Sequence, residues 1–435
     1  MRTAGPPTAP PGRTGWRRRS RRRCTAMLAT AAVVAPLLVA CGSGPNAGIT
    51  INVYLPPEEH FQQVIDNCGK QAAGRYSIVY NKLPRDADGQ REQMVRRLAA
   101  NDTGMDVLGL DVTFTAEFAG AGWIEEWTGD RRAEAEKDVL AAPLESAKYQ
   151  GKLYAATKNT NVQLLWYRDD VVSTPPTTWS DMIAAAERLK AEGKPNQIAF
   201  TGAQYEGLVV EFATLVASAG GHILSDDGTK AVLDDGAIRA LQTLKDFATA
   251  GVTSPSMTND IEDDARHELE NGQSAFEVNW PYVYAAMQAD KPDLAKHFTW
   301  APVPGVDPGQ PSRVAIGGRN LAVSAFSPHK AEAFDAALCL RNAANQEYSA
   351  INDGVPPTIS SVYDDPAMTG PYPMKDTIRQ ELRDAATRPI TPAYQNVSTL
   401  ISTILSPPSA IDPRATADEL RTKIQQALDS KGVLP

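Results

Sequence analysis

Trp280 and Tyr282 flank Pro281 at the end of the apolar run Ser274–Val278. Proline has no N–H to give to a strand ladder, so the strand stops there and Trp280 is left at its end. Two aromatic rings at such a place are either packing residues or a platform for a ligand with apolar faces and polar edges, such as a sugar. Other side chains offer the polar half of that chemistry. Asp111 closes the run Met105–Leu110, and Glu58 and Glu59 follow Pro56-Pro57 at the end of Ile49–Leu55. Asp260, Glu262, Asp263 and Asp264 crowd the approach to the Ser274 run. Most of these read as a solvated helix start; Glu262 is the one expected in a cleft, with Asp263 or Asp264 as its alternates. Arg388 lies in the irregular stretch Thr387–Pro392 and carries a rigid fork of donors. Gly317-Gly318, inside an apolar stretch, let a ligand or another backbone approach closely. Carboxylates, an arginine and an aromatic suit a hydroxyl-rich ligand.

Other chemistries lack their residues. The five histidines are scattered and no C-x-x-C occurs, so no metal site or cofactor is expected. There is no G-x-S-x-G and no G-x-x-x-x-G-K-[ST], so the chain neither resembles a serine hydrolase nor binds ATP itself. Asp111 with a second carboxylate could form the acid/base pair of a secreted glycosidase. No further glycosidase motif accompanies it, and a non-enzyme is expected.

The elements that must hold these residues alternate. Ile49–Leu55, Ser77–Asn81 and Met105–Leu110 read as strands, with helices over Glu58–Cys68 and Asp88–Asn101 between them. That order predicts an α/β fold with a doubly wound parallel sheet, whose ligands sit at the carboxyl ends of strands. Thr178 and Asp181 stand at capping spacing before a helix, and Thr416 with Glu419 does the same for the last one. Trp300–Arg313 is rich in Pro and Gly and reads as a linker; Val314–Phe326 returns as a strand, and His329–Ala344 as a helix.

The N-terminus addresses the chain. Eight arginines and no acid lie in residues 1–40, followed by the uncharged run Ala26–Ala40 and Cys41. This is the pattern of an export signal, too short for a stable span of ~20 residues. Leu38-Val39-Ala40-Cys41 resembles a bacterial lipobox, which implies cleavage before Cys41, acylation of that cysteine and anchoring at the outer face of the cell membrane. Without residues 1–40, 35 basic side chains face 52 acidic ones, a net charge of −17 over 395 residues. Such a surface argues against nucleic acid or anionic lipid as partner. In an oxidising compartment Cys68 and Cys339 are expected to pair, the alternative being two buried thiols.

Four segments together resemble the family 1 extracellular solute-binding proteins, the receptors of carbohydrate ABC importers. They are Asp111 through Trp123, Gln163-Leu164-Leu165-Trp166-Tyr167-Arg168, Tyr205-Glu206-Gly207-Leu208, and Gly272-Gln273-Ser274-Ala275-Phe276 with Asn279-Trp280-Pro281-Tyr282. The resemblance implies a two-lobed, maltose-binding-protein-like (type II) fold closing on its ligand by hinge motion. It implies lobes of 41–156 with 314–327 and 157–313 with 328–435, after a signal of 1–40. It places Asp111, Asn161, Tyr205 and Glu206 in the cleft, and the full ligand set becomes these four with Glu59, Gln90, Glu262, Trp280, Tyr282, Gly317, Gly318 and Arg388. The Asp111 segment is similar to the maltose and trehalose branch, so trehalose is the expected ligand; maltose, a related disaccharide or a glycerophosphodiester is the alternative. The partners implied are two permease subunits and a cytoplasmic ATPase, with the receptor itself a monomer.

Overall fold

Alternating side chains over Ile49–Leu55 put Ile51, Val53 and Leu55 in a fully buried row, and this strand, β1, starts the first sheet. The computed structural model describes residues 48–431; the export signal and Cys41 lie outside them. Ten further strands follow: β2 (Tyr76–Lys82), β3 (Val107–Asp111), β4 (Lys148–Tyr149), β5 (Lys152–Leu153), β6 (Ala156–Asn161), β7 (Leu164–Arg168), β8 (Gln197–Ala199), β9 (Ser274–Asn279), β10 (Phe298–Ala301) and β11 (Gly317–Val323). They form a five-stranded sheet β2-β1-β3-β11-β6, a four-stranded sheet β10-β7-β9-β8 and the small hairpin β4-β5.

The helices Phe61–Gln71 and Ala87–Ala99 cross between the parallel strands β1, β2 and β3, as the alternation predicts. The sheet is not parallel throughout. β11 enters antiparallel to both β3 and β6, with Arg319 opposite Asp111 and Gly317 opposite Asn161. Its first residues therefore lie beside the last residues of its neighbours, which gathers Asp111, Asn161, Gly317, Gly318 and Arg319 at one edge.

Each large sheet has its own core. Around the first are Phe61, Met94, Trp127 and Leu321; around the second, Trp166, Trp179, Phe212 and Phe247. The two cores define two lobes, and the chain changes lobe at places that differ from those expected. β6 still pairs in the first sheet as far as Asn161, so the first departure comes after 161 rather than 156. Val314, Ala315 and Ile316 belong to the second core, so the return comes at Gly317. The helix Lys330–Leu340 buries Ala333, Phe334, Ala337 and Leu340 in the first core, against the expectation that everything after 327 lies in the second. Asn342 then caps a separate helix, Ala343–Asp353, by accepting from Asn345 N–H (2.9 Å), which is why the expected single helix to Ala344 breaks. Cys68 and Cys339 meet between the helices Phe61–Gln71 and Lys330–Leu340, with their Cα atoms 5.8 Å apart and their sulfurs at bonding distance. The last helix, Pro413–Leu428, is capped by Asp412, whose carboxylate accepts from Ala415 N–H (3.0 Å); the expected cap, Thr416, lies inside the helix and is buried. Among the described residues no helix is long and apolar enough to cross a membrane.

Candidate functional site

Between the strand ends of the two lobes lies a cavity of about 300 Å³, at the small end of the ~300–1,000 Å³ typical of small-molecule sites. Its two walls are chemically different.

The first-lobe wall is built on ion pairs. Asp111 ends β3, and its Oδ1 accepts from Thr113 N (3.2 Å) and Thr113 Oγ1 (3.0 Å), a local turn rather than a helix cap. Arg319 Nη1 donates to its Oδ2 (2.6 Å) and Arg388 Nη2 to its Oδ1 (3.0 Å). Burial alone would raise the pKa of Asp111; the guanidiniums of Arg388 and Arg319 and the Thr113 donors hold it below the ordinary value. Arg388 reaches on to Glu206 through Nη1 and to the Ile316 carbonyl through Nη2 (3.3 Å), leaving Nε without a partner. Glu206 also accepts from Tyr394 Oη (2.5 Å) and from Ser398 Oγ. Burial still outweighs these partners, and its pKa is raised. Arg388 is thus a buried cation spanning the two lobes, Asp111 in the first and Glu206 in the second. Most of its donors are committed to protein groups.

Beside this network, Asn159 and Asn161 line the cavity with side-chain oxygens that are buried and have no partner. Glu58 lines it too, and Lys158 Nζ donates to both of its oxygens at 2.8 Å.

The second-lobe wall pairs aromatics with acids and has few cations. Tyr205 Oη donates to Glu262 Oε2, and Tyr282 Oη to Asp263 Oδ1 (3.0 Å). Burial, reinforced by the neighbouring carboxylates, raises both tyrosine pKa values, so both stay protonated donors. Trp280 is half-buried, with its indole against Gly317 of the opposite lobe. A Cβ on Gly317 would stand 3.0 Å from Trp280 Cη2, so a side chain there would press on the ring. Gly318 has φ +128°, and a Cβ there would come within 2.4 Å of the Asn159 carbonyl oxygen.

Ten of the twelve ligand-set residues proposed from the sequence line this cavity: Asp111, Asn161, Tyr205, Glu206, Glu262, Trp280, Tyr282, Gly317, Gly318 and Arg388. Two do not. Glu59 is exposed, and Glu58, drawn inward by Lys158, takes the position. Gln90 is fully buried in its helix, its Nε2 donating to the Arg85 carbonyl (2.8 Å). The sequence reading missed Asn159, Arg319 and Arg85, and named Glu58 only as one of a pair with Glu59. Asn159 was within reach of it: it stands two residues from Asn161, and strand alternation puts both on one face. Arg319 was not, because its link to Asp111 depends on the β3–β11 register. No group of His, Cys, Asp and Glu among the described residues could hold a metal ion.

A profile described as bacterial extracellular solute-binding protein matches residues 76–347. The chain belongs to that family. A "probable ABC transporter-binding protein" of Deinococcus radiodurans is 29% identical over 338 residues, covering 75% of this chain and 79% of the relative. The maltose-bound MalE3 of T. maritima superposes with a TM-score of 0.78 at 28% identity, over 88% of this chain and all of the other. The GacH receptor of Streptomyces glaucescens, solved unliganded and with acarbose, also gives 0.78, at 20% identity and the same coverage. The fold is therefore that of the type II, maltose-binding-protein-like receptors, and the chain is an extracytoplasmic solute-binding protein rather than an enzyme. In this solute-binding protein further contacts between the lobes include Gln395 Nε2 donating to Asp88 Oδ1 (3.0 Å) and Arg85 Nη1 standing 4.0 Å from Asp263 Oδ2.

Proposed function

We propose that the chain is the sugar receptor of an ABC importer, taking a small neutral saccharide, with trehalose as the first candidate, and delivering it to two permease subunits served by a cytoplasmic ATPase. The observation that carries this reading is the pairing, across one cavity, of the Trp280 indole with the unpartnered side-chain oxygens of Asn159 and Asn161. A pyranose ring offers an apolar face for the indole and hydroxyl donors for the amide oxygens. In this reading Trp280 stacks on one ring, and Asp111, Asn161 and Glu262 accept from hydroxyls. Tyr282 and Tyr205 brace the acids, and Arg388 holds Asp111 and Glu206 in place. The ABC-transporter name of the Deinococcus relative and the maltose in the T. maritima protein support the class of ligand. Trehalose itself rests on the sequence resemblance of the Leu38–Cys41 lipobox, of Asp111 through Trp123, of Gln163 through Arg168 and of Asn279 through Tyr282 to the mycobacterial trehalose-binding lipoprotein LpqY. The lining carries six carboxylates against three guanidiniums, which disfavours a glycerophosphodiester. Lipid attachment at Cys41 belongs to the same proposal, resting on Leu38–Cys41; Cys41→Ala should release the protein from membranes.

Calorimetric titration with trehalose, maltose and a glycerophosphodiester tests the ligand, backed by a thermal-shift screen, since a ligand that binds only the folded state raises its apparent stability. Heat and stabilisation with a disaccharide are expected. No response to any sugar would defeat the reading, and glucose released from trehalose would make the protein a glycosidase.

A further inference from the structure

The indole of Trp280 and the acids Glu262 and Asp263 come from different elements, the end of β9 and the start of the helix Glu262–Glu270, yet they must keep a fixed gap to share one ligand. One side chain touches both elements. Asn279 is fully buried. Its Oδ1 accepts from the backbone N–H of Trp280 (2.8 Å). Its Nδ2 donates to the backbone carbonyl of Glu262 (2.9 Å) and to Glu277 Oε1 (2.6 Å). Its own carbonyl accepts from Trp166 Nε1 (3.0 Å), which ties the whole to the second-lobe core.

The partners fix which way the amide points. A backbone N–H can only donate and a backbone carbonyl only accept, so the oxygen must face Trp280 and the nitrogen Glu262. Among the common side chains of this length only an amide fits both ends at once. Aspartate would set an oxygen against the Glu262 carbonyl and the Glu277 carboxyl; leucine would satisfy neither. Trp280 leads directly into Pro281, which cannot donate to a ladder, so the platform residue has little ladder support beyond this point.

We infer that Asn279 is a positioning residue: it locks Trp280 and the Glu262–Asp263 turn into one rigid wall and so sets the distance between the stacking surface and the carboxylates. Its consequence for affinity rests on the sugar-receptor reading above; the locking itself does not.

The experiment separates the two. The full-length protein is labelled with 5-fluorotryptophan, and the Trp280 ¹⁹F resonance is assigned by its loss in Trp280→Phe. Spectra are taken without ligand, and trehalose and maltose are then titrated. In Asn279→Asp the Trp280 line should shift or broaden without ligand, and affinity for whichever sugar the wild type binds should fall about tenfold to a hundredfold, as expected when a buried hydrogen-bonding group loses its partner. Phe247→Leu thins the same core away from the cleft. It should lower the melting temperature while leaving the Trp280 line and the affinity in place, so a merely structural role for Asn279 would move neither readout. Should the aspartate variant not fold, Asn279→Ser keeps a hydroxyl acceptor on the Trp280 side but is too short to bridge to the Glu262 carbonyl and Glu277, with the same expected direction. An unmoved Trp280 line in the folded variant overturns the inference, and so does a moved line with unchanged affinity. If the wild type binds neither sugar while the line still moves, the sugar reading falls and the locking stands.

Discussion

The two walls of the cleft solve the burial of acids in opposite ways. On the first-lobe side, Asp111 is met by two arginines, and Glu58 by a lysine whose side chain is 3% exposed. On the second-lobe side, Glu262 and Asp263 are met by tyrosine hydroxyls, with Arg266 and Arg85 no nearer to Asp263 than 3.8 Å, and of the acids behind them Glu211 has only Gln163 Nε2 (2.6 Å) and Glu277 only Asn279. Their pKa values follow. Asp111 is held below its ordinary value, whereas burial lifts Glu211 well above its own and Glu277 to about 8. On the first-lobe wall the charged groups are satisfied by one another, and the free acceptors are the side-chain oxygens of Asn159 and Asn161. On the second-lobe wall the tyrosine donors take one oxygen each of Glu262 and Asp263.

The first lobe is also the one joined across Cys68 and Cys339, 271 residues apart in sequence. Replacing both with serine should give the largest effect on stability, about 4–5 kcal/mol in the chain-entropy model, with sugar affinity unchanged because both lie away from the cleft. Urea unfolding with and without reductant checks it; equal stabilities would show that the sulfurs do not pair, as would labelling of both thiols in native protein.

Next comes Arg388→Met, which breaks the ionic floor at the point where it spans the lobes. Asp111 and Glu206 are then buried without their shared cation, and stripping one partner from a buried pair costs about 3–5 kcal/mol. A loss below about 1 kcal/mol in denaturant unfolding would mean that the network contributes little.

Trp280→Ala attacks the other wall. The side chain is half-buried and faces the cavity, so circular dichroism should report a folded protein. Affinity for the sugar should fall about tenfold to a hundredfold. Wild-type affinity in the folded variant would remove the platform from the site.

How far the sequence foretold this asymmetry depends on the range of the signal. Trp280 and Asp111 could be placed because each closes a local pattern, a strand ended by proline and a strand ended by a turn. Glu58 and Glu59 could not be separated, since only the distant Lys158 decides which turns inward. Arg388 was legible as a donor near the cleft, but its engagement by Asp111 and Glu206 joins residues 277 and 182 positions away. The lobe boundaries were missed for the same reason. The helix Lys330–Leu340 looks like any amphipathic helix, and only its packing on β11 and on Phe61–Gln71 assigns it to the first core. Local periodicity shows where an element is; which lobe it joins is decided by contacts that leave no local trace.

A pH series sharpens the electrostatic side of the comparison. Glu277 has a folded-state pKa of about 8, raised first by burial, against an ordinary value of 4.5. A carboxyl whose pKa is raised on folding contributes stability that is full below the unfolded value and is lost as pH climbs through the folded one. Glu277→Gln keeps an acceptor for Asn279 and cannot ionise. Relative to wild type it should therefore gain stability as pH rises between about 4.5 and 8, and the difference should be flat on either side. Within that window the gain should approach about 1.4 kcal/mol per pH unit, the linkage slope for one proton. Asp111→Asn should trend the other way: a depressed carboxylate contributes stability above its unfolded pKa and loses it as pH falls, so that variant's deficit should shrink in acid. Thermal melts of the three proteins from pH 3 to 9 decide it. Parallel curves for both variants would show that the two walls do not differ in how they hold their acids.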